Sequence, residues 1–179
     1  NGMIGDTLLL LEHPPTIPLG RHSQPGDLII NRERLEYLGV DLAEVERGGR
    51  ATYHGPGQVV AYVIISLKER RLSVPSFVKL LEQSSIGYQS KLGIEAGRRR
   101  GRTGVWVGRR KIGAVGVHLR RWVSLYGFAL NVDPDLTHYE SIVPCGLPDA
   151  DMTSVRRELG RAPSLGQVKR GVAESVSQV

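Results

Sequence analysis

A single cysteine, Cys145, occurs in 179 residues, so no disulfide can form within the chain. That suits a reducing compartment. Aromatic residues make up only 6% of the sequence. There are too few rings for the stacking platforms that hold single-stranded nucleic acid, and no helix-turn-helix pattern is present. No apolar run approaches the ~20 residues needed to cross a bilayer. The opening residues lack the basic stretch and cleavage pattern of a secretory signal. No phosphate-binding loop of the nucleoside-triphosphatase type is found. Histidines and carboxylates are too scattered to suggest a metal site. These absences argue against nucleic-acid-binding, membrane-spanning and metal-dependent classes, and they predict a cytoplasmic protein that needs no cofactor.

Glycine and positive charge are abundant. The chain has 22 glycines, and its 24 Lys and Arg against 18 Asp and Glu give a net charge of +6. Such a balance favours acidic partners. The length fits one domain.

Hydrophobic patterning predicts an α+β fold, with a mixed or antiparallel sheet and flanking helices. Leu8 to Leu11 reads as a buried strand stopped by Pro14-Pro15. Asn31 to Leu38 reads as a short helix ended by Gly39, and Val45 to Arg47 as a brief strand. Gln58 to Leu67, rich in Val, Ile and Tyr, suits a central strand covered on both faces. Ser73 to Leu92 is a helix with a serine cap, an early proline and a glycine stop. Gly97 to Thr103 reads as a basic loop. Val105 to Val107, Lys111 to His118 and Trp122 to Asn131 read as strands, the first two joined by a turn at Gly108-Arg109-Arg110. Asp133 to Thr153 reads as irregular. A last helix starts at Ser164, with Leu165, Val168, Val172 and Val176 on one stripe.

Three segments can carry chemistry. Arg47-Gly48-Gly49-Arg50-Ala51-Thr52-Tyr53-His54-Gly55-Pro56-Gly57-Gln58 concentrates glycine, which lets backbone approach a ligand closely; its composition equally suits a tight connection between strands. Lys111 opens the small, apolar run Ile112 to Val117. It either ends a strand in water or turns inward, where desolvation would make it a usable base. Cys145 lies between Pro144 and Gly146. A lone cysteine is commonly an inert core residue, whereas its neighbours suit an exposed turn, where a nearby cation favours the thiolate.

Four blocks together resemble the lipoyl(octanoyl) transferases, the octanoyl-carrier-protein:protein octanoyltransferases. They are LLLEHPPTIPLGR from Leu9 to Arg21, RGGRATYHGPGQ from Arg47 to Gln58, GVWVGRRKIGAVG from Gly104 to Gly116, and Tyr126 to Ser154 with FALNV, IVPCGL and MTS. The matching order covers nearly the whole chain. The resemblance implies a fold like that of biotin and lipoate protein ligases, related to class II aminoacyl-tRNA synthetases. It implies transfer of octanoyl from the phosphopantetheine thioester of octanoyl-acyl carrier protein to a lysine of lipoyl domains. The implied acceptors are the 2-oxoacid dehydrogenases and the glycine cleavage H protein. By motif, Cys145 takes the acyl-thioester role, and Lys111 the role of lowering its pKa. Arg47, Gly48, Gly49, Arg50, Ala51, Thr52, Tyr53 and His54 match the substrate-binding loop. Ala114, Val115 and Gly116, and Gly127, Phe128 and Ala129, match two further walls of the pocket. Backbone N–H groups near Cys145 and Lys111 are the expected oxyanion donors.

The chain departs from the family at Tyr126, where His is usual, at Val63, where Pro is usual, and at Pro18, where Thr is common. The family's first segment is expected to be largely missing from a single catalytic domain spanning 1–179, acting as a monomer. The arginines at 98, 99, 100, 102, 109 and 110 are candidates for steering acidic carriers. An ATP-dependent lipoate or biotin ligase, or an octanoyl amidotransferase, is the alternative of the same fold.

Overall fold

The computed structural model describes residues 5–178. Among these residues nine strands are present: β1 (Thr7–Leu11), β2 (Thr16–Leu19), β3 (Asp41–Glu44), β4 (Gln58–Ile64), β5 (Gly97–Arg99), β6 (Arg102–Val107), β7 (Arg110–Arg120), β8 (Val123–Asn131) and β9 (Asp151–Met152). Four α-helices accompany them: α1 (Arg32–Tyr37), α2 (Val74–Lys91), α3 (Val155–Leu159) and α4 (Leu165–Ser177). Seven strands form one sheet in the order β1-β4-β8-β7-β6-β5, with β9 joining the start of β7. All its pairings are antiparallel except β7 with β9. A separate parallel pair is formed by β2 and β3.

Strand alternation divides the large sheet into two faces. Val59, Ala61 and Val63 of β4, with Phe128 and Leu130 of β8, join Phe77, Leu81 and Tyr88 of α2 and Val168 and Val172 of α4 in the main core. The helices can pack there because each is well started. The Ser73 side chain accepts from the Ser76 N–H at 3.2 Å. Ser164 and Gln167 form a reciprocal capping box at α4. Each cap contributes about 1 kcal/mol.

The opposite face of the sheet carries small side chains. Ala114 lies across from Ala129 and Gly116 across from Gly127, while β4 adds Val60 beside Ala129 and Tyr62 beside Gly127. A second apolar cluster, with Ile17, Leu35, Val40, Ala51, Tyr53, Tyr139, Ile142 and Met152, is built from β2, β3, α1 and the connecting segments. The space between the two layers is the cavity described below.

The sheet, α1, α2 and α4 agree with the sequence reading; several segments do not. β1 is an edge strand paired only with β4, and Leu9 is exposed. The strand expected at Val45 to Arg47 lies earlier, at Asp41–Glu44, because the parallel ladder with Thr16–Leu19 fixes the register. The ladder closes where the Val45 N–H donates to Leu19 O. Gly97 to Thr103 is a hairpin, not a loop. Glu82 on α2 anchors it, bonding Arg98 Nε at 2.9 Å and the Gly104 N–H at 2.9 Å. Asp133 to Thr153 contains two 3-10 turns and β9. β2 had no sequence signal and depends on its remote partner β3; α3 lies outside the elements expected from the sequence, although Ser154 caps it and the left-handed Gly160 ends it.

Candidate functional site

Lys111 and Cys145 meet at the wall of one cavity. The Lys111 Nζ donates to Cys145 Sγ at 3.1 Å, and the lysine is only 1% exposed. Of the two sequence readings, Lys111 therefore takes the inward one. Three features hold it there. The Lys111 carbonyl accepts from the Thr153 N–H at 2.9 Å, which ties the strand to β9. The ammonium lies 5.4 Å from the centre of the Trp106 ring, a favourable cation–π position. Gly104, with φ of +120°, leaves the space that the lysine stem fills: a Cβ there would stand 2.7 Å from Lys111 Cε and 2.6 Å from Gly113 O.

Cys145 sits in a 3-10 turn over Pro144–Gly146 with a left-handed backbone, φ 55° and ψ 21°. Strained non-glycine residues of this kind persist only where their surroundings hold them. Here the Cys145 N–H donates to Ala51 O at 2.8 Å, and the Gly146 N–H to Val143 O at 3.0 Å. Both amides are thus engaged, so the expected oxyanion role does not fall to either in this state. Arg50 braces the turn. Its guanidinium packs where a side chain on Gly146 would lie, with Nη1 2.4 Å from that Cβ position. It also makes a bidentate pair with the fully buried Asp27. Burial pushes the Asp27 carboxyl up, but Arg50 and the backbone N–H groups of Gln24 and Ala51 outweigh it and hold the group below its ordinary value.

The cavity has a volume of about 540 Å³, within the ~300–1,000 Å³ usual for small-molecule sites. Its floor is the small-residue trough: Ala114, Val115, Gly116, Gly127, Phe128 and Ala129 all line it, as do Arg47, Gly49, Arg50, Thr52 and His54. Gly48, Ala51 and Tyr53, expected from the sequence in the binding loop, lie behind the lining. The Gly48 N–H donates to Val117 O, while Ala51 and Tyr53 belong to the second apolar cluster. Burial pushes the Tyr53 phenol up to about 12. Arg47 is almost buried and shapes the loop from inside, donating to Gly48 O, Arg50 O and Pro18 O at 2.8–3.1 Å.

Away from Lys111, the trough ends in polar rings, of which His13 and Tyr62 were not assigned from the sequence. His13 Nε2 lies 2.7 Å from Tyr62 Oη, and Tyr126 meets Tyr62 edge-on at 5.8 Å. Strand alternation would aim Tyr126 at α2, but its φ of +68° turns the ring into the cavity. His13 and His54 stack at 5.7 Å. Gln58 donates to Tyr53 O and Tyr139 Oη, which leaves its Oε1 to accept from His54 Nδ1 at 3.0 Å. His54 Nε2 is then the unprotonated nitrogen. The proline and histidine of the Glu12-His13-Pro14 stretch were the available signal for His13; nothing in the sequence joined it to Tyr62.

Burial pushes His54 down to about 4, against the opposing bond to Gln58 and reinforced by Arg47 and His13. Burial lowers His13 as well. Between pH 4 and the ordinary value of 6.5, the unfolded chain binds more protons than the folded one. Stability is therefore full above pH 6.5 and falls as the pH drops towards 4. The expected loss for His54 is about 1–2 kcal/mol, since the side chain is only partly shielded. Urea midpoints at pH 7.0 and 4.5 check it; His54→Gln should shrink the difference.

The catalytic-domain family described as lipoyl protein ligase A/B matches residues 1–177. An octanoyltransferase of Myxococcus xanthus is 44% identical over 99% of this chain, which spans 52% of that relative's length. An octanoyltransferase of Chloroflexus aurantiacus is 45% identical over 99% of this chain and 81% of its own. Among solved structures, a bi-partite lipoate protein ligase from Thermoplasma acidophilum has a TM-score of 0.78 at 18% identity, covering 96% of this chain and 69% of that one. Lipoate-protein ligase A bound with ATP has a TM-score of 0.79 at 17% identity, covering 96% and 71%. At these identities the structures show the fold alone, and it is the biotin and lipoate ligase fold. A matched family model over almost the full sequence, with relatives above 40% identity, establishes that the chain belongs to the lipoyl protein ligase A/B catalytic-domain family, among its octanoyltransferases.

Proposed function

We propose that this chain transfers an octanoyl group from the thioester of octanoyl-acyl carrier protein to a lysine amine of lipoyl domains, through an acyl-thioester on Cys145. The carrying observation is the 3.1 Å approach of the Lys111 ammonium to the Cys145 sulfur at the wall of an apolar trough.

The thiolate of Cys145 attacks the donor's carbonyl carbon. A new carbon–sulfur bond forms, and the bond to the donor's sulfur breaks. Lys111 gives its proton to the departing thiolate and is left neutral. The amine of the acceptor lysine then attacks the acyl-enzyme. A carbon–nitrogen bond forms, the bond to Cys145 breaks, and the amine's proton returns to Lys111. The trough favours an alkyl chain, with up to about 0.8 kcal/mol per buried methylene. Thr52, Ala114, Gly116, Gly127 and Ala129 would contact it, while Arg47, Gly49 and Arg50 frame the loop above.

Intact mass provides the test. Incubation with octanoyl-carrier protein, without ATP, should add one octanoyl group that hydroxylamine removes. Acylation that requires ATP and free octanoate would instead assign the chain to the ligases of the same fold.

A further inference from the structure

One end of the cavity rim carries positive charge that its own carboxylates do not neutralise. Gly101, Arg102 and Thr103, at the tip of the β5–β6 hairpin, line the cavity that holds Lys111 and Cys145. Several arginines of this corner are already committed. Arg98 pairs with Glu82, Arg102 with Asp149 and Arg110 with Glu158, at 2.8–2.9 Å. Arg99, Arg100 and Arg109 have no carboxylate oxygen within 4.0 Å among the described residues. Arg99 is nonetheless held in place. Its guanidinium lies over the Trp106 ring at 4.9 Å and donates to Arg109 O at 3.4 Å. Arg100 and Arg109 are exposed on the turns at the two ends of β6, and Arg99 links them, adjoining one in sequence and bonded to the carbonyl of the other. Glu95 shares the shallow hollow beside Arg99 and partly offsets it.

We propose that Arg99, Arg100 and Arg109 form the docking surface for the acyl donor, an acidic carrier whose thioester hangs from a phosphodiester-linked arm. This rests on the acyl-transfer reading. Arg100 adjoins Gly101, which lines the cavity, while Arg99, Arg100 and Arg109 do not line it themselves, so the patch lies beside the mouth and not across it. A donor with a long flexible arm can sit there and still deliver its carbonyl to Cys145. An acceptor presents its amine on one lysine side chain and must stand over the mouth itself. Guanidinium groups suit this donor, because their planar fork matches both carboxylates and the phosphodiester.

The test is the double variant Arg100→Glu/Arg109→Glu, assayed with octanoyl-carrier protein and with the octanoyl thioester of a small neutral thiol. Neither residue lines the cavity that holds Lys111 and Cys145, and an unchanged thermal midpoint establishes that the fold is intact. KM for the carrier donor should rise about tenfold or more, with a flatter salt dependence and little change in kcat. Turnover of the small thioester should stay within about twofold. An unchanged KM for the carrier, or a defect confined to the acceptor's KM, overturns the assignment. Failure of the unmodified protein with both donors would sink the acyl-transfer reading itself, and this docking surface with it.

Discussion

Cys145→Ala is expected to lower kcat/KM for octanoyl transfer by about 10³-fold or more and to abolish the acyl-enzyme mass. No other cysteine exists in the chain to replace it. The change also strips the buried Lys111 ammonium of its partner. An unpaired buried charge is costly, so part of any loss could come from a disturbed site. Cys145→Ser separates the two causes. A hydroxyl still accepts from Lys111, so stability should stay near that of the parent. An alkoxide is far harder to form than a thiolate, so activity should remain low. Near-parental turnover by a well-folded Cys145→Ala protein would exclude a covalent route through this residue.

Gly104→Ala should have the largest effect on stability for the smallest change in mass. The added carbon would meet Gly113 O at 2.6 Å and Lys111 Cε at 2.7 Å. The carbonyl belongs to the centre of the sheet and cannot move far. The backbone at φ +120° is also outside the range that residues with a Cβ adopt readily. Strain and overpacking together should cost about 3 kcal/mol, lowering the midpoint by roughly 6–12 °C for a chain of this size. The flexible lysine yields first, so its ammonium should leave the sulfur. Activity should therefore drop further than the stability loss explains. Calorimetry with a transfer assay on the same sample checks both. An unchanged midpoint would mean that the strand shifts to accommodate alanine.

The two strongest expectations from the sequence, a sheet flanked by helices and a lysine beside a cysteine, rest on different kinds of signal. Ser73, Pro75 and Gly93 mark α2 locally, and the richness of Gln58 to Leu67 in Val, Ile and Tyr marks β4 locally; such elements are legible from neighbouring residues. The parallel pairing of Thr16–Leu19 with Asp41–Glu44 is not, because each strand is stabilised by a partner more than twenty residues away. The motif around Lys111 pointed to the right residue, but its inward direction depends on Gly104 and Trp106. Tyr126 was noted as a departure from the family, and alternation alone would place it on the other side of the sheet. Its left-handed backbone reverses that direction. Tyr53 shows the converse: it sits within the most distinctive motif of the chain but serves the packing behind the loop.

The sulfur and the ammonium are held by separate tethers. Lys111 belongs to the interior of the main sheet, whereas Cys145 hangs from Ala51 O and the Arg50–Asp27 pair. A brief release of the turn would part them without melting the sheet. Amide hydrogen exchange at Cys145 and the rate of its alkylation should then report one and the same excursion. Local breathing of a short turn, not global unfolding, would set how often this thiol meets a reagent from solution.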